Sequence, residues 1–211
     1  MPQISTHEFD WLPLRVHAFL AGVPLHDVWA VDLTRTRSGI TLEEFLRTAS
    51  ARSQLGCVCC KIDRSRKRSL FTGSPVVRAL LSIRFFVGRL FGWDREPAKT
   101  AWETFTTRLT SADRSKSLAP AGTRDGLFRV VYRFENEQLL EVVNHTAHAA
   151  ALSALVETEN TYRFYFGVYV RNVGRFTPVY MALIDPFRKL VVYPLLLRSI
   201  REKWDQSFGT A

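Results

Sequence analysis

The chain lacks any run of 18 uncharged apolar residues, which excludes an ordinary transmembrane helix. Met1 to Phe9 carries His7 and Glu8 where a secretory signal would place Lys or Arg ahead of an apolar stretch. Cysteine is scarce: all three lie within Cys57-Val58-Cys59-Cys60, too few for a disulfide framework. That usage predicts a cytoplasmic protein in a reducing compartment. A structural zinc wants four ligands, usually as two separated pairs, and adjacent thiols without a second pair do not supply them. No metal and no cofactor are therefore expected. G-x-S-x-G, G-x-G-x-x-G, P-loop and H-E-x-x-H patterns are also absent, which removes the common hydrolase, nucleotide and metalloprotease routes.

What is present is apolar, aromatic and unevenly basic. Of 211 residues, 46% are hydrophobic and 23% charged, the mix of one globular domain spanning 1–211. Fifteen Phe, six Tyr and five Trp suffice to line a thick core or an apolar pocket. The net charge is +9, and residues 51–100 hold 11 Lys/Arg against 3 Asp/Glu. The excess is densest at Lys61, Arg64, Arg66, Lys67 and Arg68. Such a cluster attracts an anionic membrane surface or nucleic-acid phosphates, or is simply a solvated loop. No aromatics interleave with it, which disfavours single-stranded nucleic acid as a partner.

Periodicity divides the rest. Trp29, Val31 and Leu33 alternate with Ala30, Asp32 and Thr34, predicting a strand over Val28 to Arg35. Thr41 and Glu44 form a capping-box pattern that opens a helix through Thr48. Ser74-Pro75 opens another to about Phe91, and residues 98–110 suit a third. Residues 111–126, rich in Ser, Ala, Asp and Gly, read as a flexible loop or lid. From Leu127 the period becomes two. Strands are expected over 127–134, 138–144, 147–157 and 162–171, an antiparallel meander with one face covered and one wet. Asp185-Pro186 starts a helix to about Trp204 that is apolar on most sides, which predicts burial, with a kink at Pro194. The fold class is α+β, with the sheet curled round that helix.

Gly174-Arg175, the stretch Tyr180 to Val192 (YMALIDPFRKLVV) and Leu197-Arg198 resemble the C-terminal signature of an uncharacterised bacterial family of the START-like (SRPBCC, helix-grip) superfamily. The resemblance implies a curved antiparallel sheet wrapped around a long C-terminal helix, with a hydrophobic molecule held between them. Some members of the superfamily are cyclases or dehydratases. This chain departs where the third strand usually reads like H-L-D-F-R; Ala147-His148-Ala149-Ala150-Ala151 stands there instead.

These readings converge on an internal cavity. Its expected lining is Trp29, Phe128, Tyr132, His148, Ala150, Ala154, Tyr162, Phe164 and Phe166. The alanines either let the helix pack closer or leave room for a ligand. His148 is the strongly polar group of that set, either a satisfied core histidine or an acid/base near neutral pH. The expected function is binding or carriage of a hydrophobic small molecule or lipid. The alternatives are a cyclase- or dehydratase-type enzyme using His148, and a membrane-surface or nucleic-acid module acting through 61–68. A lipid carrier would visit the membrane periphery to load.

Overall fold

The computed structural model describes residues 3–55 (side chains to 49), 103–125, 128–143, 148–172, 181–182 and 185–209. Two five-residue helices, α1 (Thr6–Asp10) and α2 (Arg15–Phe19), precede strand β1 (Leu25–Thr34) and helix α3 (Leu42–Leu55). A 3-10 turn (Phe105–Arg108) and α4 (Ser111–Lys116) lead into β2 (Arg124–Asp125), β3 (Phe128–Arg133), β4 (Glu137–Val143), β5 (His148–Glu157) and β6 (Thr161–Arg171). A π-helical turn (Arg188–Val192) runs directly into the last helix, α5 (Tyr193–Phe208). The strands make one curved, wholly antiparallel sheet in the order β1-β6-β5-β4-β3-β2.

Both faces of this sheet are covered. On one, Trp29, Val31, Leu33, Phe164 and Phe166 meet α3 (Leu42, Phe45) and α5 (Leu196, Leu197, Ile200, Trp204). Trp204 is fully buried and donates from its indole to the Thr34 carbonyl at 2.8 Å. On the other, Val28, Ala30, Ala150, Leu152, Ala154, Tyr165 and Tyr169 lie under Phe9, Val16, Phe19 and Phe105. The wet face expected of the meander is therefore a second core, built by residues 4–23 and the segment around 105.

The reason the N-terminal segment stays down is electrostatic as well as apolar. Buried Glu137, at the start of β4, accepts the backbone N–H groups of Arg15 at 2.7 Å and Val16 at 2.9 Å, the opening of α2. It also accepts the Tyr132 hydroxyl. Arg15 in turn forks onto Asp113, with both hydrogen bonds at 3.0 Å. Asp113 and Thr110 close a capping box on α4. A Thr-x-x-Asp pattern thus places a helix inside the stretch expected to be a loop.

The Arg15 fork, then the Thr110 bonds, hold the Asp113 carboxyl down at about 2. A carboxylate depressed in the folded state stabilises above its unfolded value and loses that contribution as pH falls through the folded one. Stability is therefore expected to drop between about pH 4 and pH 2 by about 1–2 kcal/mol through this group. Asp113→Asn should lose that amount already at neutral pH and flatten the acid limb, as urea unfolding at pH 2.5, 4 and 7 would show. An unchanged acid limb in Asp113→Asn would refute the assignment.

Candidate functional site

Local irregularities on two elements build the site. The β1–β6 register slips between Leu25 and Asp27: Leu25 opposes Tyr169, while Asp27 opposes Val168. This bulge at His26 turns Leu25 toward the N-terminal core and leaves Asp27 in step with Trp29, Val31 and Leu33, facing α5. Across from it, Pro194 has no N–H with which to reach the Leu190 carbonyl in an α-helix. The helix answers with a wide turn, in which the Tyr193 N–H bonds to the Arg188 carbonyl. The kink expected at Pro194 takes this form. A five-residue spacing, about 140° apart on an α-helix, comes closer to one side on a π-turn. Arg188 and Tyr193 accordingly meet above Asp27.

The contacts are specific. Arg188 donates to Asp27 Oδ2 at 3.2 Å, to Asp185 Oδ1 at 3.1 Å and to the Tyr193 hydroxyl. The Tyr193 hydroxyl donates to Asp27 Oδ2 at 3.4 Å. His26 Nε2 lies 2.8 and 2.9 Å from the two Asp185 oxygens, so that nitrogen carries the proton. The Tyr193 ring packs on Trp29 at 5.4 Å and on Phe166 at 5.7 Å. Burial pushes the Asp27 carboxyl up, against the opposing charges of Arg188 and His26 and the Tyr193 bond. Burial likewise pushes the Tyr193 phenol up, so it remains a donor.

Two atoms are left over. The Asp27 side chain has no exposed surface, and its Oδ1 has no hydrogen-bond partner. Nor has the buried indole N–H of Trp29, two residues along the same face. Each orphan costs about 1–3 kcal/mol, more where the group is charged. A buried polar group left unpaired in this way is open to a further partner.

His26, Asp27 and Asp185 bring three candidate ligand atoms within 4.8 Å of one another. They do not fit a metal as they stand. Ligands at about 2.0–2.1 Å on a tetrahedral ion sit about 3.3 Å apart, whereas His26 and Asp185 touch at hydrogen-bond distance. The Arg188 guanidinium also already supplies the countercharge between the carboxylates. The trio is an ion-pair network.

The residues expected to line one cavity fall on two faces. Trp29, Tyr162, Phe164 and Phe166 face α5, with Phe128 packed at the edge of that core. Tyr132, Ala150 and Ala154 belong to the opposite core, and His148 shares their face through its pairing with Val143. Tyr132 parts from Phe128 because β3 carries a bulge between Val130 and Tyr132, which flips the parity within the strand. Ala150 and Ala154 are at most 1% exposed beneath the N-terminal segment, so close packing fills the space that the small side chains leave. Tyr162 donates to the Arg37 carbonyl and accepts from the Ile40 N–H, tying down the α3 approach.

His148 is fully buried, stacked under Phe105 at 4.0 Å, with Nε2 3.3 Å from Glu141 Oε2. That places it on the far side of the sheet from α5, paired through Nε2, while its Nδ1 and Glu141 Oε1 have no partner. A shallow depression of about 260 Å³ also opens on that side, lined by Asp10, His17, Leu20, Val23, Leu25 and Tyr169 among others. Lys61, Arg64, Arg66, Lys67 and Arg68 lie outside the described residues, as do the cysteine cluster and the helix expected from Pro75 to Phe91.

Sequence reasoning missed His26, Asp27, Asp185, Arg188 and Tyr193 as a group. One signal was available: Asp27 continues backwards the apolar parity of Trp29, Val31 and Leu33, where a carboxylate is out of place without a partner. A family described as a protein of unknown function (DUF2867) matches residues 19–195. The chain belongs to this family. Its match spans every residue of the cluster, from His26 to Tyr193. No curated protein and no solved structure matches the chain.

Proposed function

We propose that this DUF2867 protein is a START-like (SRPBCC, helix-grip) domain that binds a hydrophobic small molecule at the mouth between β1 and the π-turn. The observation that carries the reading is the buried, half-partnered Asp27. Its Oδ2 is held by Arg188 and Tyr193 while Oδ1 is left without a donor. A ligand that donates there recovers the cost of the orphan. Trp29, Phe166 and Tyr193 give the ligand an aromatic wall. Deeper along α5, Leu33, Tyr162, Phe164, Leu197 and Trp204 are at most 1% exposed, so the far end of the groove is filled with side chains. The Asp27 end is also closed, its carboxylate having no exposed surface, so a ligand enters there only as the outer wall moves. The outer wall there is the π-turn, none of whose residues is buried, and its displacement opens the way in.

Native mass spectrometry of protein purified from cells tests this. A nonpolar organic adduct is expected, and both Asp27→Asn and Trp29→Phe should reduce its retention. Asp27→Asn keeps shape while changing the carboxylate, and Trp29→Phe keeps an aromatic ring while removing the indole N–H. Absence of any adduct, or retention by both variants equal to that of the wild type, would overturn the proposal.

A further inference from the structure

We infer that the ligand of this site is an uncharged, flat compound bearing a hydroxyl, and that the site rejects carboxylates such as fatty acids. The inference rests on the binding site proposed above and names the chemistry that it selects.

Charge balance comes first. The two carboxylates of the cluster, Asp27 and Asp185, are matched by Arg188 and by Lys189, whose Nζ is 3.7 Å from Asp185 Oδ2. His26 adds an N–H donor that Asp185 already uses. Among the described residues of the cluster, no cation is left over to receive an anionic ligand. A carboxylate brought to Asp27 Oδ1 would meet a second, fully buried carboxylate. An ammonium group fares little better, because Arg188 already sits on the same Asp27 carboxylate. A neutral donor disturbs neither balance.

The hydrogen-bond inventory comes second. Asp27 Oδ1 accepts and Trp29 Nε1 donates, and both are unpaired. They project from residues two apart on one face of a strand, about 6.6 Å along the chain. A hydroxyl serves the first. A second oxygen on the same ring system, or the hydroxyl oxygen itself, serves the second. Shape comes third: Tyr193 packs tilted on Trp29 and edge-on to Phe166, so the neighbouring wall is made of rings, which suits a flat body better than a flexible chain.

Three probes of one shape separate the possibilities in isothermal titration: 2-naphthol, 2-methoxynaphthalene, which keeps the body and loses the donor, and 2-naphthoate, which carries the anion. Binding of 2-naphthol should be about tenfold or more tighter than that of either other probe. Asp27→Asn should erase that preference, and Trp29→Phe should weaken 2-naphthol without reordering the three. Circular dichroism confirms that each variant is folded. If all three probes bind alike and Trp29→Phe weakens them together, the site stands and its selectivity for a neutral hydroxyl is refuted. Tightest binding of 2-naphthoate refutes the selectivity as well. If none of the probes binds, the inference and the site both fall.

Discussion

Replacing Arg188 by Met is expected to destabilise the protein by about 3–5 kcal/mol, the cost of stripping a buried carboxylate of its charged partner. Asp27 would keep only the long Tyr193 bond and the His26 imidazole 4.0 Å away. The double variant Asp27→Leu/Arg188→Met should recover most of that loss, because two apolar groups of similar volume remove the desolvation cost along with the pair. The same double variant should lose ligand retention completely. Chemical denaturation of the wild type, both single variants and the double variant gives the coupling energy directly. A double variant as unstable as Arg188→Met alone would show that the cluster holds the helix to β1 by more than ion pairing. A double variant that still retains its ligand would remove Asp27 from the site. Stability recovered at the expense of binding is the signature of a polar cluster kept for function.

The strands were legible because period two survives in β3 to β6: the expected runs over 127–134, 138–144, 147–157 and 162–171 match the observed elements to within a few residues. Which way each strand faces was not legible. Covering both faces makes both parities apolar, as in Tyr162–Arg171, where Phe164 and Phe166 enter one core while Tyr165 and Tyr169 enter the other. Alternation then loses its meaning as an inside–outside signal. The bulges at His26 and near Val131 depend on hydrogen-bond register, which residue type does not encode locally. Helices α1 and α2 span barely more than one turn each, too short to show a period of 3.6. The expectation that the last helix is buried on most sides holds only on one side. Leu190 is 77% exposed on the π-turn, whereas Leu196, Leu197, Ile200 and Trp204 are buried. The widened turn rotates residues out of the stripe that an unbroken α-helix would give. Asp27 escaped notice because the expected strand began one residue after it. The resemblance segment drew attention to Asp185 and Arg188 as part of a pattern, and only folding brings them to β1.

Glu137→Ala is the substitution expected to uncover the opposite face of the sheet. The carboxylate of Glu137 is buried and accepts from three donors: the Arg15 N–H, the Val16 N–H and the Tyr132 hydroxyl. Burial nevertheless pushes its pKa up, with the three bonds acting against that rise. A raised carboxyl binds its proton more tightly in the folded state, so this group favours folding below its unfolded value and loses that contribution as pH rises through the folded one. The sign is opposite to that of Asp113, one salt bridge away through Arg15. Truncation at Glu137 leaves three donors without an acceptor in an apolar setting, at about 1–3 kcal/mol for each that water cannot reach. A loss of about 3–5 kcal/mol follows if α2 stays docked. Undocking is the cheaper response, because α2 has five residues and little helical stability of its own. Hydrogen exchange should then show the amides of residues 4–23 losing protection in Glu137→Ala, while Tyr162–Arg171 and α5 keep theirs. Phe9, Val16 and Phe19 would leave the sheet together, exposing Ala150, Ala154 and Tyr169. Uniform loss of protection across all strands would mean instead that the N-terminal cover and the sheet unfold as one unit. Unchanged protection at residues 4–23 would refute the anchoring role of Glu137.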